Sequence, residues 1–95
     1  MSRHFEYATF DAAALSSAFG LGLKTVRKEK GYRQAYLQRI TGITDAAISH
    51  IENGRQNSSL VTAIVLAQAI GSTVDELLSI GLEEKKCQDQ NGARR

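Results

Sequence analysis

Four glycines cut a chain that contains no proline into segments, and this punctuation sets most of what the chain can become. Between Gly31, Gly42, Gly54 and Gly71, apolar residues return every three or four positions, the period of a helix burying one face. Glycine accepts the left-handed backbone that follows a helix, so each of the four reads as a stop. A period-2 pattern occurs only in the short run Phe5-Glu6-Tyr7-Ala8-Thr9-Phe10. The fold class expected is therefore all-α, with five helices.

Asp11 can cap the first helix, whose apolar stripe is Leu15, Phe19, Leu23 and Val26. Gly20 and Gly22 are expected to weaken it by up to about 1 kcal/mol each relative to alanine. A cationic last turn of Arg27, Lys28 and Lys30 suits the negative end of its dipole. A short second helix follows from Arg33 to Thr41, with Leu37 and Ile40 facing inward. Thr44 caps the third, Asp45 to Asn53, and Ser58 or Ser59 begins the fourth, which runs from Leu60 to Ile70. Thr73 and Glu76, three apart before Leu77 and Leu78, form a capping box for the fifth. Beyond Leu82 the apolar period ends. The expected organisation is an N-terminal arm (1–10), a helical domain (11–82, with its helix-turn-helix at about 33–53), and a flexible polar tail (83–95).

The net charge of +2 indicates no particular partner, but its distribution is uneven. From Lys24 to Asn57 there are seven basic residues against three acids, whereas from Ser58 to Leu82 the only charges are Asp75 and Glu76. That asymmetry fits a phosphate-facing first half and a packing or associating second half. Cys87 is the only cysteine, which excludes an internal disulfide and fits a reducing compartment. No apolar run approaches the ~18 residues of a membrane span, and Glu6 and Asp11 interrupt any secretory core. A cytoplasmic location is expected. His4, His50 and Cys87 share no metal-ligand spacing, and no nucleophile, base and orienting group can be grouped. Neither metal, cofactor nor enzymatic activity is expected.

The informative stretch runs from Gln34 to Gly54. At about 100° per residue, Ile48, Ile51 and Glu52 turn to one side of the third helix, and Ala46, Ser49, His50 and Asn53 to the other. A short capped helix with a small, polar outer face can enter a DNA major groove about 12 Å wide. Residues 19–82 resemble the phage repressor and Cro family of XRE-type helix-turn-helix regulators. The resemblance rests on Arg27, Gln34, Gly42-Ile43-Thr44, Ile48-Ser49-His50-Ile51-Glu52-Asn53-Gly54-Arg55, Ser59-Leu60, Leu66-Ala67, Ala69-Ile70-Gly71 and Val74-Asp75-Glu76-Leu77-Leu78.

The resemblance implies double-stranded DNA as partner and a lambda-repressor-like, dimeric transcription regulator. Under it, Gln34, Thr44, Asn53 and Arg55 hold phosphates, with Arg33 adding a cation near DNA. Asp45, Ala46, Ser49 and His50 present the base-reading surface, and Arg27 and Glu52 form a structural ion pair. Gln38 departs from the family's usual small residue and Arg33 from its usual Ser or Thr cap. Val61 and Val65 replace residues that are commonly charged. Together with Ile80 and Leu82, these valines are the expected dimer interface, because Ile64, Leu66 and Ile70 suffice for the core. Repression is expected over activation, as so short a domain has no effector module. A restriction-modification controller touching polymerase, or an antitoxin paired with a toxin, are the alternatives. Phe5, Tyr7 and Phe10 stay open between a dimer-clasping strand, a helix-covering arm and a flexible lead.

Overall fold

A computed structural model describes residues 11–93, with side chains to residue 85. It has five helices and, among the described residues, no strand: α1 (Ala12–Glu29), α2 (Gln34–Thr41), α3 (Asp45–Glu52), α4 (Leu60–Ala69) and α5 (Val74–Ala93). Four of the five starts carry a side-chain cap, and α2 has none. The Asp11 side chain accepts from the N–H of Ala14, Thr44 from Ala47, and Ser59 from Thr62. These bonds satisfy amides that have no partner inside the helix. The capping box at α5 forms only by half. Thr73 accepts from the Glu76 N–H, but the Glu76 carboxylate takes its bond from the Ser72 hydroxyl at 2.7 Å.

The core is a single cluster in which Leu23, Leu37, Ile48, Ile51, Leu66, Ile70 and Leu77 are almost wholly buried. Each such side chain contributes about 1.5–3 kcal/mol through removal from water. Gly20 and Gly22 sit within this packing and are not weak points of α1. A Cβ on Gly20 would overlap the carbonyl oxygen of Ile51, and one on Gly22 the carbonyl oxygen of Leu77. Gly81 on α5 meets the Ala18 carbonyl in the same way. Residues 18 and 22 thus oppose 81 and 77, so α1 and α5 run antiparallel at nearly backbone-to-backbone distance.

Three expectations from periodicity are corrected. Ile40 does not face inward but is 47% exposed, and Ile64 is 40% exposed. Both lie on helices whose inward stripe is already filled, by Leu37 on α2 and by Ala63, Leu66 and Ala67 on α4. The polar stretch after Leu82 does not leave the helix, which continues to Ala93. Glu, Lys and Gln are good helix formers, and no glycine follows Gly81 until Gly92. Residues 1–10, the expected arm with Phe5, Tyr7 and Phe10, lie outside the described residues. No single helix among the described residues is long and apolar enough to cross a membrane.

Candidate nucleic-acid interface

The turn between α2 and α3 is built around Gly42, whose φ of 81° is costly for any residue with a Cβ. Its N–H donates to the Gln38 carbonyl at 2.8 Å, and the N–H of Ile43 is taken by the Thr41 hydroxyl. At the far end of α3, the N–H of Gly54 donates to the Ile51 carbonyl and that of Arg55 to the His50 carbonyl. Gly54, with φ 73°, makes that closure possible. The eight-residue helix is therefore fixed at both ends.

Its inner face carries Ile48, Ile51 and Glu52, all buried. Glu52 meets Arg27 of α1 in a two-pronged ion pair, Nε to Oε2 at 2.6 Å and Nη2 to Oε1 at 3.0 Å. Arg27 also donates to the Tyr32 carbonyl at 2.7 Å. Gln34 donates from its amide to Glu52 Oε1 at 3.0 Å, which ties α2 into the same network. Glu52 thus receives three hydrogen bonds from two other helices. Buried charges need this degree of satisfaction, and no buried polar side-chain atom described here lacks a partner.

The outer face presents Asp45, Ala46 and His50 as exposed, with Ser49 half-buried. Asn53 is exposed and donates to the Ser49 hydroxyl at 3.4 Å. Thr44, Arg33 and Arg55 are exposed around this face. Arg33 makes no side-chain cap to α2, which leaves its guanidinium outside that helix's bonding. Two of the seven basic residues are used internally. Arg27 is held by Glu52, and Lys30 donates to the Ile70 carbonyl at the end of α4.

Sequence reasoning missed two features here. Gln34, expected on a phosphate, is half-buried and has one amide N–H committed to Glu52. Gln38 carries a bond not foreseen, its Oε1 accepting from the backbone N–H of Asp45 at 2.6 Å. Its presence where the family carries a small residue was the only available signal.

Comparisons agree with this geometry. A family model described as Helix-turn-helix matches residues 23–77. The uncharacterized HTH-type transcriptional regulator y4dJ of Sinorhizobium fredii is 33% identical over 60 residues, covering 63% of this chain and 78% of that protein. The crystal structure of the restriction-modification controller protein C.AhdI from Aeromonas hydrophila is similar, with a TM-score of 0.62 and 34% identity. That match covers 68% of this chain and 97% of the other. The chain belongs to the XRE-type helix-turn-helix family of DNA-binding transcription regulators.

Proposed function

We propose that the protein is a dimeric, sequence-specific regulator that reads an inverted-repeat operator through α3. The observation that carries this reading is the division of α3 into two faces. One is locked by Arg27, Gln34 and the core, and the other is small, polar and open. A rigid helix with such a surface suits the major groove, where Ala46 can meet a thymine methyl and His50 a purine edge. Thr44, Asn53 and Arg55, with Arg33 and the free amide hydrogen of Gln34, supply phosphate contacts. Asp45 accepts from cytosine or stabilises the start of α3. A two-fold dimer would set two recognition helices one DNA turn, about 34 Å, apart.

The test is titration of the full chain against the DNA upstream of its own gene, beside a scrambled duplex at the same salt. Tight binding with two protected major-groove patches one turn apart is expected. Equal affinity for both duplexes excludes sequence-specific reading. The similarity to C.AhdI favours a restriction-modification controller over a simple repressor. A methylase gene under the same operator, with transcription changed by the protein, is the outcome that distinguishes it. The protein would act in the cytoplasm, where such DNA lies.

A further inference from the structure

The recognition surface leaves one face of α2 unused, and its chemistry is not that of a merely solvated face. Gln34 and Gln38 point to α3, and Leu37 to the core. Tyr36 lies about 160–200° around the helix from both glutamines at about 100° per residue. On that outer side Tyr36 is 36% exposed and Ile40 47% exposed, beside exposed Arg39 and Ala35. The Tyr32 and Tyr36 rings pair with centroids 5.0 Å apart, and the Arg39 guanidinium lies 5.8 Å over the Tyr36 ring. An open concavity runs along them, lined by Gly31, Tyr32, Arg33, Ala35, Tyr36 and Arg39.

We infer that this groove docks an acidic segment of a protein partner, one that carries aromatic or aliphatic side chains between its carboxylates. Charge complementarity selects the partner, since the lining holds two arginines and no acid. The aromatic content separates a polypeptide from a DNA backbone. Tyrosine hydroxyls and arginines can also donate to phosphates, but only a polypeptide has apolar side chains to lay on the ring faces, and Tyr and Arg in a concave site anchor protein interfaces. The cation–π contact holds Arg39 in place before binding, so less side-chain freedom is lost on docking. Arg33 turns to the DNA when α3 is bound there, whereas Tyr32, Ala35, Tyr36 and Arg39 stay open, a point that alone rests on the DNA-binding reading. The regulator would then hold operator and partner together.

The probe is a 12-residue peptide of three Asp-Leu-Glu-Phe repeats, with a Lys-for-acid version as control. Both are titrated into the isotope-labelled full chain, free and operator-bound, and followed by amide chemical shifts. Saturable shifts centred on Tyr32, Ala35, Tyr36 and Arg39 are expected from the acidic peptide alone. Y36A and R39E should each weaken it at least tenfold, while operator affinity stays within about twofold and circular dichroism is unchanged. Shifts elsewhere, no saturation, or equal response to the lysine peptide would overturn the assignment. So would an R39E loss of operator affinity matching its loss of peptide, which would make the groove a phosphate site. Titration of the free chain decides the groove's role even if operator reading fails.

Discussion

Gly20 of α1 lies so close to the carbonyl oxygen of Ile51 in α3 that no Cβ fits between them. Helix α3 therefore rests on the backbone of α1, and its position is set by the absence of a side chain. Alanine is the better helix former by about 1 kcal/mol, yet Gly20→Ala is expected to destabilise. Overpacking a filled contact costs about 1–3 kcal/mol. Gly22→Ala and Gly81→Ala meet backbone carbonyls as well and should behave alike. Urea unfolding followed by circular dichroism reads the result, and a gain in stability at all three sites would show that the helices can move apart freely.

The Arg27–Glu52 pair is buried on both sides, its side chains 9% and 1% exposed. Glu52→Gln leaves a guanidinium without its counter-charge and should cost about 3–5 kcal/mol. Replacing both partners by Met and Leu should recover most of that loss, because two buried charges disappear together. An unchanged melting temperature in the single variant would remove the pair from the bracing of α3.

Gln38 fastens the start of α3 from the neighbouring helix, a role that Thr44 performs from within the chain turn. Loss of a cap costs about 0.5–2 kcal/mol, so Gln38→Ala should fall in that range and Thr44→Ala beside it. Operator affinity should drop as well, through an α3 that frays at its reading end. Hydrogen exchange at Asp45 and Ala47 should rise in the two variants respectively, and equal protection in both would show the caps to be redundant.

The fold was legible because apolar period and glycine position are local signals, and all five helices begin within a residue of where spacing and caps place them. Ile40 and Ile64 were misplaced because periodicity marks a stripe without saying how wide a stripe the neighbours can cover. Gly20 and Gly22 read as defects because the reason for them, carbonyls of Ile51 and Leu77, lies at long sequence distance. The Gln34–Glu52 bond was illegible for the same reason, and the Gln38–Asp45 bond, only seven residues apart, because it depends on how α2 crosses α3. The outer face of α3 was readable from its angles, whereas the Tyr32–Tyr36–Arg39 cluster depends on rotamers that spacing does not give.

His50 and Arg55 should separate in their effects on DNA. His50 is exposed on the outer face of α3, so His50→Ala should change base preference by about 1–3 kcal/mol at one position. Arg55 stands past the helix end, and Arg55→Ala should weaken all sequences together and lower the salt slope by about one. A binding selection at fixed salt checks both. The same preferred site from His50→Ala would exclude base reading by this residue.

The dimer interface is expected on α4, and exposure enlarges the set that spacing suggests. Leu60 is 72% exposed, Val61 69%, Ile64 40% and Val65 38%, a contiguous apolar strip along one helix with no charged residue in it. Ile80 belongs elsewhere, packed against the core, and Leu82 is half-buried. An apolar strip of this kind is normally covered, and a second copy related by a two-fold axis would pair each strip with itself. The rival cover is the segment 1–10 of the same chain, since a groove beside the strip is lined by Ala12, Leu15, Phe19 and Leu60 close to where that segment joins α1. Val61→Glu with Val65→Lys should give a folded monomer by light scattering, with much weaker operator binding, while a chain lacking residues 1–10 remains dimeric. A dimer that survives the double substitution moves the interface off α4, and one lost on deletion of residues 1–10 assigns its hold to that segment.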